Sequence, residues 1–151
     1  MRVSVIRDPR LTPRQRRVVA EARLGPLLRA SGHRLGVPAR ASLCVRLTGD
    51  AELRGLNARF LGNDAPTDVL AFPTGERARV GDVAISVERA IAQAADGAAE
   101  LRLLAVHGLL HCLGHDHALP EPAAAMTAAT RMLLPDADVP DLQTAELAGR
   151  S

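Results

Sequence analysis

The stretch HGLLHCLGHDH, residues 107–117, holds four of the five histidines of the 151-residue chain, and its reading decides the fold. His107, His111 and His117 stand at i, i+4 and i+10. On an α-helix each residue advances about 100° and 1.5 Å, so His107 and His111 share one face about 6 Å apart along the axis, and two imidazoles can reach one ion. Position i+10 would lie about 15 Å along a continuing helix, out of reach. The helix must stop in between. Gly114 supplies the stop, because glycine takes the left-handed conformation that commonly ends a helix, and His117 can then fold back toward the pair. His115 would extend an i, i+4, i+8 stripe, but Cα atoms about 12 Å apart on a straight helix cannot share an ion whose bonds to nitrogen are about 2.0 to 2.1 Å. The expected ligands of one Zn2+ per chain are His107, His111 and His117; His115 is a neighbour that either hydrogen-bonds substrate or faces solvent.

Three neutral histidines with no evident fourth protein ligand describe an open site. Catalytic zinc takes that form, with water in the fourth position and its pKa lowered toward 7, so the metal-bound water is the first candidate for the reacting group. The spacing is also that of the metzincin proteases, H-E-x-x-H-x-x-G-x-x-H, with the glycine at the same offset. Here Gly108 stands where those proteases carry their glutamate. Peptide hydrolysis by that route lacks its proton acceptor.

Composition sets the frame. At 151 residues the chain is expected to form one domain, 1–151, with an aliphatic core: apolar residues make up 47%, with no Trp or Tyr and two Phe. Residues 1–40 carry ten Arg against Asp8 and Glu21, a net of 10 − 2 = +8, and the remainder carries nine Arg against fifteen acids, a net of −6. Cys44 and Cys112 form no C-x-x-C pair or framework, which fits a reducing cytoplasm. Cys112 points about 100° away from the ligand face and reads as a buried apolar thiol. The N-terminus MRVSVIRDPR carries no segment apolar enough for a signal peptide, and no run approaches membrane-spanning length, so a cytoplasmic protein is expected.

Along the chain, residues 3–6 predict a first strand. Thr12 as N-cap and Pro13 at the first helical position open a helix running to about residue 30, which Gly25 and Pro26 should kink or split. A second strand is expected at 42–47, then a helix at 51–60 capped by Asp50. GNDAPT, residues 62–67, reads as a loop, DVLAF, residues 68–72, as a strand closed by Pro73, and VGDVAIS, residues 80–86, as its neighbour. Further helices follow at 87–95, at 98–113, apolar nearly all round and hence central, and at 121–133. Residues beyond 135, rich in Pro and acids, predict a loosely held and disordered tail. The expected fold is α+β: a small mixed four-stranded sheet packed against about five helices, with a central apolar helix carrying the metal site.

HGLLHCLGHDH together with NDAPTDVLAFP resembles the pair of motifs of the bacterial YbeY family, H-G-x-L-H-L-x-G-[YH]-D-H and P-T-D-V-L-S-F-P, in the family's order and approximate separation. VGDVAIS resembles the family's G-D strand, and the likeness spans about residues 43–134. The resemblance implies a zinc-dependent, single-strand-specific endoribonuclease acting in ribosomal RNA maturation, at the 16S 3′ end, and in ribosome quality control. It implies an open three-histidine site at His107, His111 and His117, and ribosomal RNA and the small ribosomal subunit or its proteins as partners of a monomer. The chain departs from the family at Leu61, where members often carry an Arg; Arg59 lies about 200° round the helix from it. Weak candidates for the non-metal half of catalysis are His115, Asp68 and Arg59. Asp68 is read either as an acceptor orienting a ligand histidine or as a structural group. Arg14, Arg16 and Arg17 are candidates for holding RNA phosphates. The alternative is a metal-binding, ribosome-associated accessory factor with little nuclease activity; a metalloprotease ranks below both because of Gly108.

Overall fold

The structure is a computed structural model, and it describes residues 1–142. These residues form β1 (Arg2–Arg7), α1 (Pro13–Ala22), α2 (Leu24–Arg34), β2 (Ser42–Thr48), α3 (Asp50–Leu61), β3 (Val69–Pro73), β4 (Arg79–Ser86), α4 (Val87–Gln93), α5 (Gly97–Cys112) and α6 (Pro120–Leu133). The sheet order is β1-β2-β4-β3, with β1, β2 and β4 parallel and β3 antiparallel to β4 at one edge. This is the mixed four-stranded α+β fold expected from the sequence.

Alternation along the strands sends one set of side chains to each face of the sheet. Leu43, Val45, Leu47, Val83 and Ile85 join α5 in the main core, whereas Leu70 and Ala84 pack with Leu53 of α3 in a smaller cluster on the other side. The central helix α5 buries Leu101, Leu104, Ala105, Val106, Leu109 and Leu110, residues that cover most of its circumference and leave one face, that of His107 and His111, less buried. It meets β3, β4, α1, α2, α4 and α6.

The first long helix divides in two, which brings the helices of the described residues to six. The break falls at Arg23, in the left-handed conformation with φ 48° and ψ 53°, two residues before the expected Gly25 and Pro26. The physical cause is still Pro26. Its ring would clash with the carbonyl four residues back, that of Ala22, and it has no N–H to give. By restarting at Leu24 the chain places Pro26 in a first turn, where no N–H is needed. Arg102 of α5 donates to the orphaned Ala22 carbonyl at 3.0 Å. Thr12 caps α1 as expected, in a reciprocal capping box with Gln15.

Asp50 is not the cap of α3. Gly49 holds that position, and the Asp50 carboxylate accepts from Ser86 Oγ at 2.7 Å and from Arg89 Nε and a terminal nitrogen at 3.1 Å each, tying α3 to the β4–α4 junction. The described part of the C-terminal segment is also held more firmly than its composition suggests. Val139 is buried in the main core, Arg131 donates to its carbonyl at 2.8 Å, and Leu142 N–H donates to Thr127 Oγ1 at 3.1 Å. The expected disorder further on lies outside the described residues.

Gly108 explains how closely α5 lies on the sheet. A Cβ built there would stand 2.5 Å from Val83 Cγ1, closer than real Cβ atoms approach, and 3.0 Å from Cγ2. The missing protease glutamate therefore has a packing cause, since a side chain at 108 would lift the helix off β4. Gly108→Ala is expected to destabilise the fold by about 1 to 3 kcal/mol in urea unfolding, and Val83→Ala to recover part of that loss in the double variant.

Candidate metal centre

The two ends of the histidine motif are positioned by different devices. His107 and His111 project from one face of α5, near its C-terminal end. The helix is then closed by a Schellman turn: Gly114 takes φ 98°, its N–H donates to the His111 carbonyl at 3.0 Å, and the His115 N–H donates to the Leu110 carbonyl at 3.0 Å. The chain reverses over Asp116, whose carboxylate accepts from the His117 N–H at 2.7 Å, and the His117 ring returns to the other two.

The ring centroids of His107 and His111 are 4.6 Å apart, and that of His117 is 5.5 Å from each. One nitrogen from each ring lies within 4.8 Å of the others, and the Nε2 atoms of His107 and His111 approach to 3.0 Å. Nitrogens on one zinc ion lie about 3 to 3.5 Å apart, so this donor set fits a metal with small adjustment of the third ring. The electrostatics agree. Burial, and then the neighbouring His111 and His117 rings, push the His107 pKa down to about 3. His111 is lowered chiefly by burial and by His117, with Asp116 and the His115 backbone pulling the other way. Neutral imidazole is the form that ligates. The group could hold a metal ion.

His117 is buried, His107 and His111 are partly buried, and the half-buried His115 lies outside the convergent set. Cys112 is buried beside the Asp82 carbonyl at 3.9 Å, and burial pushes its thiol up to about 11. It offers no thiolate to the site.

Two shallow grooves meet at His107. One, of about 230 Å3, is lined by Leu61, Val69, Ala71, Pro73, Gly108 and His111 among others. The second continues past Val69 to Asp68, Glu100 and the Val139–Pro140 segment. Gln93 Nε2 donates to Asp68 at 3.1 Å and to Glu100 at 2.7 Å, which joins the two carboxylates in the second groove's wall. Arg59 is exposed and stacks over Phe60 at 5.1 Å, whereas Leu61 reaches the first groove. Arg14, Arg16 and Arg17 are exposed on α1, which packs along the first half of α5, with Val18 against Gly97. Gly97 is about 15 Å along the helix from His107, so these arginines are not brought to the histidines. Arg16 is also engaged locally, donating to the Leu11 and Pro9 carbonyls at 3.1 and 2.7 Å. The sequence reading missed the edge of β3 as a groove wall. Its signal was Pro73, a residue that sheets accept at an edge.

The lowered His107 pKa has a consequence for stability. The folded protein binds this proton less readily than the unfolded chain, so protonation favours unfolding. The metal-free protein should hold this part of its stability above about pH 6.5, the unfolded value, and lose it as pH falls toward 3. Urea unfolding at pH 7 and pH 4.5 should show a steeper loss in the wild type than in His107→Leu.

Comparison with known proteins gives these geometries a context. A family model described as Endoribonuclease YbeY matches residues 15–138. A protein of that name from Chloroflexus aggregans is 46% identical over 96 residues, covering 54% of this chain and 63% of the relative, so the match spans under two thirds of that relative's length. A second, from Chelativorans, is 40% identical over 116 residues, 70% of this chain and 71% of the relative, and one from Moorella thermoacetica is 38% identical over 129 residues, 74% and 82%. The solution structure of TM1509 from Thermotoga maritima has the same fold, with a TM-score of 0.55 at 22% identity over 87% of this chain and 86% of that one. The chain belongs to the YbeY family.

Proposed function

We propose that this protein is a zinc-dependent endoribonuclease that cuts single-stranded segments of ribosomal RNA during maturation. The observation that carries this reading is the convergence of His107, His111 and His117 on a groove open at a sheet edge, in a chain whose relatives are named endoribonucleases. A metal held by the three ring nitrogens would supply a Lewis acid and lower the pKa of water. The chain's own residues do the rest. Burial favours the neutral form of His107 and His111, and the turn at Gly114 brings the third ring to the first two.

The substrate is extended RNA, because the grooves are shallow and continuous rather than one enclosed pocket. Base stacking contributes little, as the chain has no Trp or Tyr. The action at the 16S 3′ end, the role in ribosome quality control, the small-subunit partners, the monomeric state and the cytoplasmic location are carried over from the family. None of the described helices is long and apolar enough to cross a membrane. The accessory-factor alternative draws its support from Leu61, which puts an apolar side chain in the groove where family members often carry an Arg.

Purified protein should contain about one equivalent of zinc and cleave structured ribosomal RNA at its single-stranded segments. His111→Ala and the chelated wild type should both fall to background, with the metal lost from the variant. Equal cleavage by wild type and variant would refute the assignment; metal binding and ribosome association without cleavage would establish the accessory factor.

A further inference from the structure

The outer edge of β3 is the feature that the histidine cluster leaves unexplained. In an antiparallel ladder, residues that exchange hydrogen bonds alternate with residues whose N–H and C=O point away. Two bonds fix the parity. Ser86 N–H donates to the Asp68 carbonyl at 2.9 Å, and Thr74 N–H donates to the Val80 carbonyl at 3.4 Å. With the register Val69↔Ile85 through Pro73↔Gly81, residues 68, 70, 72 and 74 face β4, and Val69, Ala71 and Pro73 face outward. Those three residues line the groove with His107 and His111, and among the described residues β3 has no second strand beside it. Pro73 gives no N–H, so the edge presents two donors, Val69 and Ala71, about 7 Å apart.

A nuclease must hold a phosphodiester beside its reacting centre. Among the described residues that line this groove none is an Arg, and Leu61 contributes an alkyl chain. The neutral donors on that wall are backbone ones. Their interval is comparable to that between successive phosphates of an extended single strand. We propose that the outward N–H groups of Val69 and Ala71 hold consecutive phosphates of single-stranded RNA and set its register against the three histidines. Charge-assisted bonds from backbone N–H to an anion are the stronger kind, so two such donors can fix a strand that no arginine in the groove grips. The proposal rests on the endoribonuclease reading.

The test removes one N–H. Ala71→lactate changes the amide to an ester, and Ala71→Pro removes the same donor at a position where an edge strand tolerates proline. Zinc content and thermal unfolding report whether each variant retains the fold. Binding is read as fluorescence anisotropy of a mixed-sequence single-stranded oligoribonucleotide, and cleavage as KM and kcat. Either variant should bind about tenfold more weakly, with the loss in KM. If both folded variants bind as tightly as the wild type, the edge donors are not used and this proposal alone falls. If the wild type neither binds nor cleaves RNA, the endoribonuclease reading falls and takes the proposal with it.

Discussion

The close approach of α5 to β4 at Gly108 is the constraint on which the rest depends. A helix apolar on all but one face must be largely surrounded, and this one packs against two strands and four helices. The absence of a side chain at 108 lets its backbone settle against Val83. The last turns of α5 lie beside the edge strand β3, where His107 and His111 line a groove. One glycine thus sets how closely helix and sheet pack. The position that a protease would use for a base is here spent on helix–sheet contact.

The second constraint is the left-handed residue Gly114. Without it the helix would carry His115 onward and leave His117 out of reach. With it, two carbonyls at the end of α5 are satisfied by the turn's own N–H groups, and the third ring arrives as a consequence of backbone geometry. The centre is therefore built from local structure, within eleven consecutive residues, and the remaining chain supplies burial and the groove walls.

This locality explains what was legible. The three histidines, the helix stop and the buried thiol follow from spacing on one helix and one glycine, and the structure brings them together as expected. The strands were readable because SLCVRL and VGDVAIS are short runs of β-branched and apolar residues bounded by turn formers. Other features depend on partners far away in sequence. The break at Arg23 reflects where Pro26 can be tolerated and the Arg102 donor that takes up the freed carbonyl, 80 residues on. Asp50 looks like a cap in any local window, but the hydroxyl of Ser86 and the guanidinium of Arg89 claim it. The arginines of α1 are solvated as their helical pattern implies, yet only the tertiary arrangement places them away from the histidines. Gly108 could be seen as a missing glutamate, but its packing role required β4.

In the proposed metal centre three imidazoles and no thiolate hold the ion. X-ray absorption at the zinc edge of the reconstituted protein tests it most directly. Three nitrogen ligands at about 2.0 to 2.1 Å with an oxygen ligand completing the shell are expected. A sulfur scatterer at about 2.3 Å, which would bring Cys112 into the site, or a shell with only two histidines, would contradict it.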